Sequence, residues 1–84
     1  MNLKTFLKQA TKKEQAELAV VCSDSVPYLY QLAGRHRYAS PHMAMRIEQM
    51  SRHIAAKSND RLELVPRETL VRHPEIFSGL LLGT

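Results

Sequence analysis

The stretch from Gln15 to Gly34, QAELAVVCSDSVPYLYQLAG, predicts two helices joined by a short turn. In its first half, Leu18, Ala19 and Cys22 fall on one helical face, and the small and polar residues 22–25 then interrupt the pattern. In its second half, apolar residues recur at intervals of three and four, at Val26, Leu29, Leu32 and Ala33. This order of helix, turn and helix is typical of a helix-turn-helix, whose second helix can enter the major groove of DNA.

Capping residues predict where the second of these helices begins and ends. Ser25 is placed to cap its N-terminus, and Pro27 falls in the first turn, where a missing N–H costs nothing. Gly34 stands where a helix C-terminus favours a left-handed residue. Ala19 faces the point where the two helices approach each other, and a larger side chain there would hold them apart. We therefore expect a recognition helix over residues 26–33.

The composition predicts one small basic domain. The chain has 84 residues, of which 44% are hydrophobic and 24% charged, and its net charge of +4 favours a polyanionic partner. The single cysteine, Cys22, excludes an internal disulfide and is expected to be a small buried hydrophobe. The apolar runs are far too short to cross a membrane, and the N-terminus lacks the apolar segment of a secretion signal. These features predict a cytoplasmic protein.

One helix is predicted before the central stretch and one after it, and a capping box marks the start of the first helix of the stretch itself. Residues 1–10 carry apolar side chains at helical spacing, with Lys4 and Lys8 on the outer side. Thr11 and Glu14 form a capping-box pattern, which starts the helix expected over residues 12–22. Ser40 and Pro41 begin another helix, expected to end near residue 57. Its apolar stripe, which we expect to be core, consists of Met43, Ile47, Met50 and Ile54.

The remaining residues give weaker patterns. Residues 61–65 alternate Leu62 and Leu64 with charged residues and predict a short extended segment. Pro66 is expected to begin a short helix that ends at residue 71 or 72. Pro74 is expected to begin one more helical turn, and residues 78–84 are expected to form a loose tail. The predicted fold is therefore all-α: one helix-turn-helix domain of four to five helices, with its core over about residues 3–57 and a C-terminal extension over about residues 58–84.

The outward side of the recognition helix supplies the candidate base-reading residues. A glutamine can form a bidentate pair with adenine, which assigns that role to Gln31, while Tyr30 can reach a base or a phosphate. Apolar contact with a thymine methyl is within reach of Val26 and Pro27. The expected base-reading set is Ser25, Val26, Pro27, Tyr30 and Gln31.

The basic loop after this helix supplies the candidate phosphate contacts. Arg35, His36 and Arg37 are placed to bind phosphates beside the groove, and Ser40 opens a helix whose backbone N–H groups can do the same. The alternative for the two arginines is that they merely solvate a loop, and the upstream helix-turn-helix favours phosphate contact. Tyr28 is either a packing residue or a further phosphate contact. Both alternatives remain open at this point.

Other kinds of site are not indicated. The four histidines include no pair spaced i, i+4 and no partnered cysteine, so no metal site is predicted. The eight carboxylates are scattered, and the sequence contains no glycine-rich phosphate loop and no triad-like grouping. We therefore expect neither an enzyme nor a cofactor.

Much of the chain resembles a known family, the YdaS-like antitoxins, which are prophage-encoded relatives of Cro-type repressors. The specific part of the resemblance is the run Leu18-Ala19, Ser25-Val26-Pro27-Tyr28-Leu29, Gln31-Leu32-Ala33-Gly34, Arg37, Ala39-Ser40-Pro41, Ala44 and Arg46-Ile47-Glu48. A second part lies further on, at Val65-Pro66-Arg67-Glu68, Leu70, Pro74-Glu75 and Phe77.

This resemblance covers about residues 3–77 and implies a lambda-repressor/Cro-like regulator in the bacterial cytoplasm, associated with the nucleoid. Such a protein binds operator DNA as an oligomer and can lie beside a toxic partner gene. Two positions depart from the family pattern: Ser23 replaces the usual turn glycine, and Pro27 replaces a small residue of the recognition helix. Serine can make the turn at some cost in strain, and proline alters the reading surface.

Two functional hypotheses follow. The first is a sequence-specific repressor that binds paired half-sites as a symmetric homo-oligomer, most simply a dimer. The second is an antitoxin or anti-repressor whose main ligand is a partner protein. Residues 26–47 contain three arginines and no acidic side chain, which favours DNA. Candidate oligomer contacts are Leu62, Leu64, Ile76, Phe77 and Leu80–Leu82.

Overall fold

The computed structural model describes residues 1–23 and 25–82, with side chains through Ser78. It confirms the all-α prediction, since the described residues form helices and turns and include no strand. The α-helices are α1 (Leu3–Gln9), α2 (Lys12–Ala19), α3 (Val26–Ala33), α4 (Pro41–Ala56) and α5 (Glu75–Leu82). Short 3-10 turns lie at Val20–Cys22 and Arg67–Thr69. No helix among the described residues is long and apolar enough to span a membrane.

The junction between α1 and α2 is fixed by side-chain hydrogen bonds. The hydroxyl of Thr11 accepts from the backbone N–H of Glu14 at 3.1 Å, and the Glu14 carboxylate accepts from the N–H of Thr11 at 2.8 Å. The predicted capping box is therefore confirmed. Arg61 adds a contact from far along the chain, because it donates to Glu14 at 2.6 Å and to the carbonyl of Gln9 at 2.8 Å.

The turn between α2 and α3 lies where the sequence predicts it. The helix expected over residues 12–22 is α-helical through Ala19 and tightens into the 3-10 turn over its last three residues. Ser23 then adopts the left-handed conformation, with φ of 59°. Leu18, Ala19 and Cys22 are all buried, so the predicted packing face is confirmed. A serine in this conformation carries strain that a glycine would avoid.

Helix α4 forms the long side of the core. The hydroxyl of Ser40 accepts from the N–H of Met43 at 3.1 Å, which confirms the predicted cap. Ile47 and Ile54 are fully buried, whereas the two methionines of the predicted stripe, Met43 and Met50, are only half-buried. The stripe is therefore core at its two isoleucines and borders solvent at its two methionines.

Residues 61–65 differ from the prediction of an extended segment. Leu62 and Val65 are buried while Leu64 is half-buried, so the inward spacing is three rather than two. The backbone N–H of Val65 donates to the buried hydroxyl of Ser51 at 2.9 Å, and that of Leu62 to the hydroxyl of Ser58 at 2.9 Å. Because side chains of the α4 region satisfy these donors, the segment needs no partner strand. The short helix expected after Pro66 is likewise reduced to a single 3-10 turn.

The C-terminal part of the chain contributes to the same hydrophobic cluster as the helix-turn-helix. Five of its residues are buried in that cluster: Leu62, Val65, Leu70, Val71 and Phe77. Leu62 and Phe77 are 3% and 2% exposed, so the prediction that they form an oligomer surface is wrong. Their side chains are used within the protomer. Leu64 and Ile76 are half-buried, and the side chains of Leu80–Leu82 lie outside the described residues.

The loose tail predicted from Ser78 is also corrected, because α5 continues through Leu82. Pro74 precedes the helix, where its fixed φ suits a helix start, and the leucines that follow have high helix propensity. Helical propensity therefore prevails over the position of these residues near the end of the chain.

The Glu14 contacts give a testable dependence of stability on pH. The hydrogen bond from Arg61, followed by that from the Thr11 N–H, lowers the pKa of Glu14 below its ordinary value of 4.5. A carboxyl with a lowered folded-state pKa stabilises the fold above its unfolded pKa, and this contribution is lost as pH falls through the folded pKa. We expect Glu14→Gln to lower the free energy of unfolding at pH 7 by about 1 kcal/mol or less, since Arg61 is partly exposed.

Urea unfolding of both proteins at pH 7 and at pH 3 measures this effect. The difference between wild type and Glu14→Gln should shrink at the lower pH, because the carboxyl is then increasingly protonated. An equal difference at both pH values would contradict a role for the carboxylate charge.

Candidate nucleic-acid interface

One face of α3 is exposed and the opposite face is buried. Leu29 and Leu32 are buried, whereas Pro27, Tyr30 and Gln31 are exposed, with 51% of Tyr30 accessible. Successive residues of a helix are rotated by about 100°, so these three exposed residues share one side of α3. The structure thus brings together three of the five residues predicted to read bases.

The other two predicted base-reading residues are less accessible. Val26 is half-buried and packs against the core, so only part of its side chain reaches the surface. Ser25 is half-buried, and its hydroxyl oxygen accepts from the N–H of Tyr28 at 3.2 Å. The hydroxyl proton is still available for donation to a ligand. Ser40 has the same capping role at the start of α4, where its hydroxyl oxygen accepts from the N–H of Met43.

Arg37 connects two residues of α3. Its guanidinium lies over the ring of Tyr28, 5.3 Å from the ring centre, and its Nη1 is 3.5 Å from the Gln31 side-chain oxygen. Tyr28 is half-buried against the core, and its burial raises the pKa of its hydroxyl. Tyr28 therefore packs against the protein, which is one of the two roles that the sequence leaves open, and it also supports an exposed arginine. Its contact with a phosphate stays a prediction.

Helix α3 has the predicted bounds, but the left-handed residue after it lies one position later than expected. Gly34 has φ of −85° and is not left-handed; Arg35 is, with φ of 60°. The N–H of Arg35 donates to Leu32 O at 3.2 Å and that of His36 to Gln31 O at 2.9 Å, which is the Schellman pattern with Arg35 in the left-handed position. Gly34 keeps a right-handed conformation as the C-cap residue, and the chain reverses at Arg35.

The lack of a side chain at Gly34 has a different structural explanation. A Cβ atom at this position would lie 2.9 Å from Cδ2 of His36, closer than side-chain atoms normally approach. The glycine therefore leaves room for the His36 ring to fold back over the helix end. His36 and the two arginines that flank it are exposed, as the prediction of phosphate contacts requires.

The C-terminal segment contacts the end of the basic loop, a feature that the sequence does not reveal. The N–H of Ala39 donates to the carbonyl of Leu70 at 2.9 Å, and the Arg72 guanidinium lies 5.0 Å from the ring centre of Tyr38. Both contacts join residues more than 30 positions apart in the chain. No local pattern could therefore have predicted them.

Two lysines of α1 lie beside the exposed face of α3. Lys4 and Lys8 line one surface groove together with Tyr30, Ala33 and Gly34. The periodicity of residues 1–10 correctly predicts that both lysines face outward from α1. It gives no information on the packing of α1 against α3, which places the lysines next to Tyr30.

The free cysteine is buried, and the described residues include no metal-binding group. Cys22 is buried beside Met43, with 3.7 Å between their sulfur atoms, and this burial raises the pKa of its thiol. Among the residues that the structure describes, no three His, Cys, Asp or Glu side chains are close enough to hold a metal ion.

Comparisons of this chain with family models, curated proteins and solved structures gave no match.

The left-handed conformation of Arg35 yields a stability prediction. A residue with a Cβ pays about 1–2 kcal/mol in this conformation, and glycine avoids that cost but gains freedom in the unfolded chain. We expect Arg35→Gly to raise the free energy of unfolding by roughly 0.5–1 kcal/mol, as measured by urea denaturation.

Arg37→Gly is the matched control, because Arg37 is exposed in the same loop but does not have a positive φ. This variant gains unfolded-state freedom without relief of strain, and it also loses the contacts of Arg37 with Tyr28 and Gln31, so it should be less stable than wild type. Equal changes in both variants would contradict the assignment of strain to Arg35.

Proposed function

We propose that this protein is a sequence-specific DNA-binding regulator that inserts α3 into the major groove. The observation that carries the proposal is the two-sided character of α3. Leu29 and Leu32 fix the helix to the core, while Pro27, Tyr30 and Gln31 project from the opposite side among basic residues. A helix held in this way can present a constant surface to base edges.

In this proposal the polar side chains of α3 form hydrogen bonds in a half-site, and its apolar side chains contact a thymine methyl group. Gln31 pairs with an adenine through its amide, and Arg37 restrains that amide from the side. Pro27 and the exposed part of Val26 contact a thymine methyl, and the Ser25 hydroxyl donates to a base or phosphate oxygen.

Phosphate contacts position the helix without reading sequence. Arg35, His36 and Arg37 follow α3 directly, and the first backbone N–H groups of α4 are close to Ser40 in the chain. Tyr28 contributes by holding Arg37 beside the major groove of the DNA. The absence of acidic residues from positions 26–47 supports this arrangement, since no carboxylate in that interval repels the DNA backbone.

A single eight-residue helix covers few base pairs, so the proposed regulator acts as a symmetric dimer on paired half-sites. Together with the resemblance to the YdaS-like and Cro-type proteins, this supports a repressor of prophage genes, including its own. Footprinting of the DNA immediately upstream of its gene tests the proposal. Protection of two half-sites about one helical turn apart is expected, and the absence of protection at low salt would contradict it.

A second candidate, binding to a partner protein as an antitoxin or anti-repressor, is favoured by one observation. Val20 is 58% exposed, and the nearby groove lined by Val21 and Met50 is partly apolar. Size-exclusion chromatography of this protein mixed with the product of the adjacent gene tests this candidate. Co-elution that is abolished by Val20→Glu supports it, and separate elution contradicts it.

The two arginines after α3 give the first prediction for DNA binding. We expect Arg35→Gln with Arg37→Gln to weaken binding to every duplex, because phosphate contacts carry no sequence information. The slope of log K against log salt concentration should become shallower by about 0.9 for each phosphate that the protein no longer neutralises. Titrations of a fluorescent duplex at several salt concentrations measure the slope, and an unchanged slope would remove these residues from the interface.

Gln31 gives a second prediction with a different signature. We expect Gln31→Ala to lose roughly 1–3 kcal/mol of discrimination at one base position while keeping the salt dependence of wild type. Selection of binding sites from a random library, performed with both proteins, identifies the position at which preference is relaxed. Equal losses on the selected site and on random DNA would contradict a base-reading role.

A further inference from the structure

A surface groove in two adjoining parts lies between α1 and the second half of α3. One part, of about 510 Å³, is lined by Lys4, Lys8, Tyr30, Ala33 and Gly34. The adjoining part, of about 490 Å³, shares Lys4, Ala33 and Gly34 with the first and adds Arg35 among its lining residues. The groove thus has three basic side chains and no acidic one along its described walls.

The lysines are held on a rigid support. Leu3, Phe6 and Leu7 anchor α1 in the core, with exposures of 3%, 0% and 2%. Lys4 and Lys8 are one turn apart on the same edge of this helix, so their attachment points are separated by about 6 Å along its axis. None of the ion pairs found among the described residues involves either lysine or Arg35.

The groove lies on the opposite edge of α3 from Arg37. Counting about 100° per residue, the exposed side of α3 is centred near Pro27 and Gln31. One border of that side is at Tyr28, whose ring contacts the Arg37 guanidinium. The other border is at Ala33, which lines the groove with the two lysines. Cations therefore flank the exposed face of α3 on both borders.

We propose that this groove binds the phosphodiester backbone of one DNA strand, namely the strand across the major groove from the one that Arg37 contacts. A helix in the major groove has a phosphate backbone on each side, and the two borders of α3 match that arrangement. Charge selects the occupant, because two lysines at one-turn spacing and an arginine face an open channel that suits a linear polyanion. Tyr30, at the edge of the groove, then lies between bases and backbone. This inference rests on the proposed insertion of α3.

The test compares two variants that each remove two positive charges. Lys4→Gln with Lys8→Gln removes the groove lysines, and Arg52→Gln with Lys57→Gln removes two exposed cations of the α4 C-terminal region that do not line the groove. The probe is a fluorescent 30-base-pair duplex of random sequence, titrated at several salt concentrations. We expect the groove variant to flatten the slope of log K against log salt by about 1.8, and the control to stay close to wild type.

Phosphate-ethylation interference on the selected operator adds a strand-specific readout. The groove variant should lose interference at phosphates on one strand of each half-site, and Arg37→Gln should lose it on the other. Equal slopes in the two double variants, or losses on the same strand, would overturn the groove assignment while leaving the proposed function intact. A wild-type protein that binds no duplex at low salt would overturn both.

Discussion

Burial of Leu29 and Leu32 is the constraint on which the candidate interface depends. An isolated helix of eight residues is not stable in water, so α3 exists because its apolar side is packed against the core. That packing also determines which residues face solvent. If the two leucines were not buried together, neither the exposure of Gln31 nor its orientation relative to the basic loop would be defined.

The elements that the sequence predicts well are those determined by local chemistry. The bounds of α3 follow from the Ser25 cap, the proline in the first turn and the apolar spacing, all of which lie within ten residues of one another. The capping box of Thr11 and Glu14 is a similar case. In each, a side chain satisfies backbone N–H groups that the helix leaves unpaired, so the structural signal and its cause lie in the same short segment.

The features that the sequence does not predict depend on distant contacts. Residues 61–65 have an alternating pattern, but the inward N–H groups of Leu62 and Val65 donate to the hydroxyls of Ser58 and Ser51, so they need no partner strand. The left-handed residue is a local exception: it falls on Arg35, whereas Gly34 makes room for the ring of the nearby His36. The position of Lys4 and Lys8 beside Tyr30 follows from the packing of α1 on α3, which periodicity within α1 cannot reveal.

These distant contacts also connect the C-terminal segment to the candidate interface. Leu70 accepts from the N–H of Ala39, and Arg72 lies over Tyr38, so residues of the extension hold the end of the loop that carries the predicted phosphate contacts. Phosphate contacts determine the register of a recognition helix, and a small displacement of that loop therefore shifts every base contact of α3 together. The C-terminal extension thus belongs to the proposed recognition mechanism, in which it helps to fix the position of α3 relative to the bases.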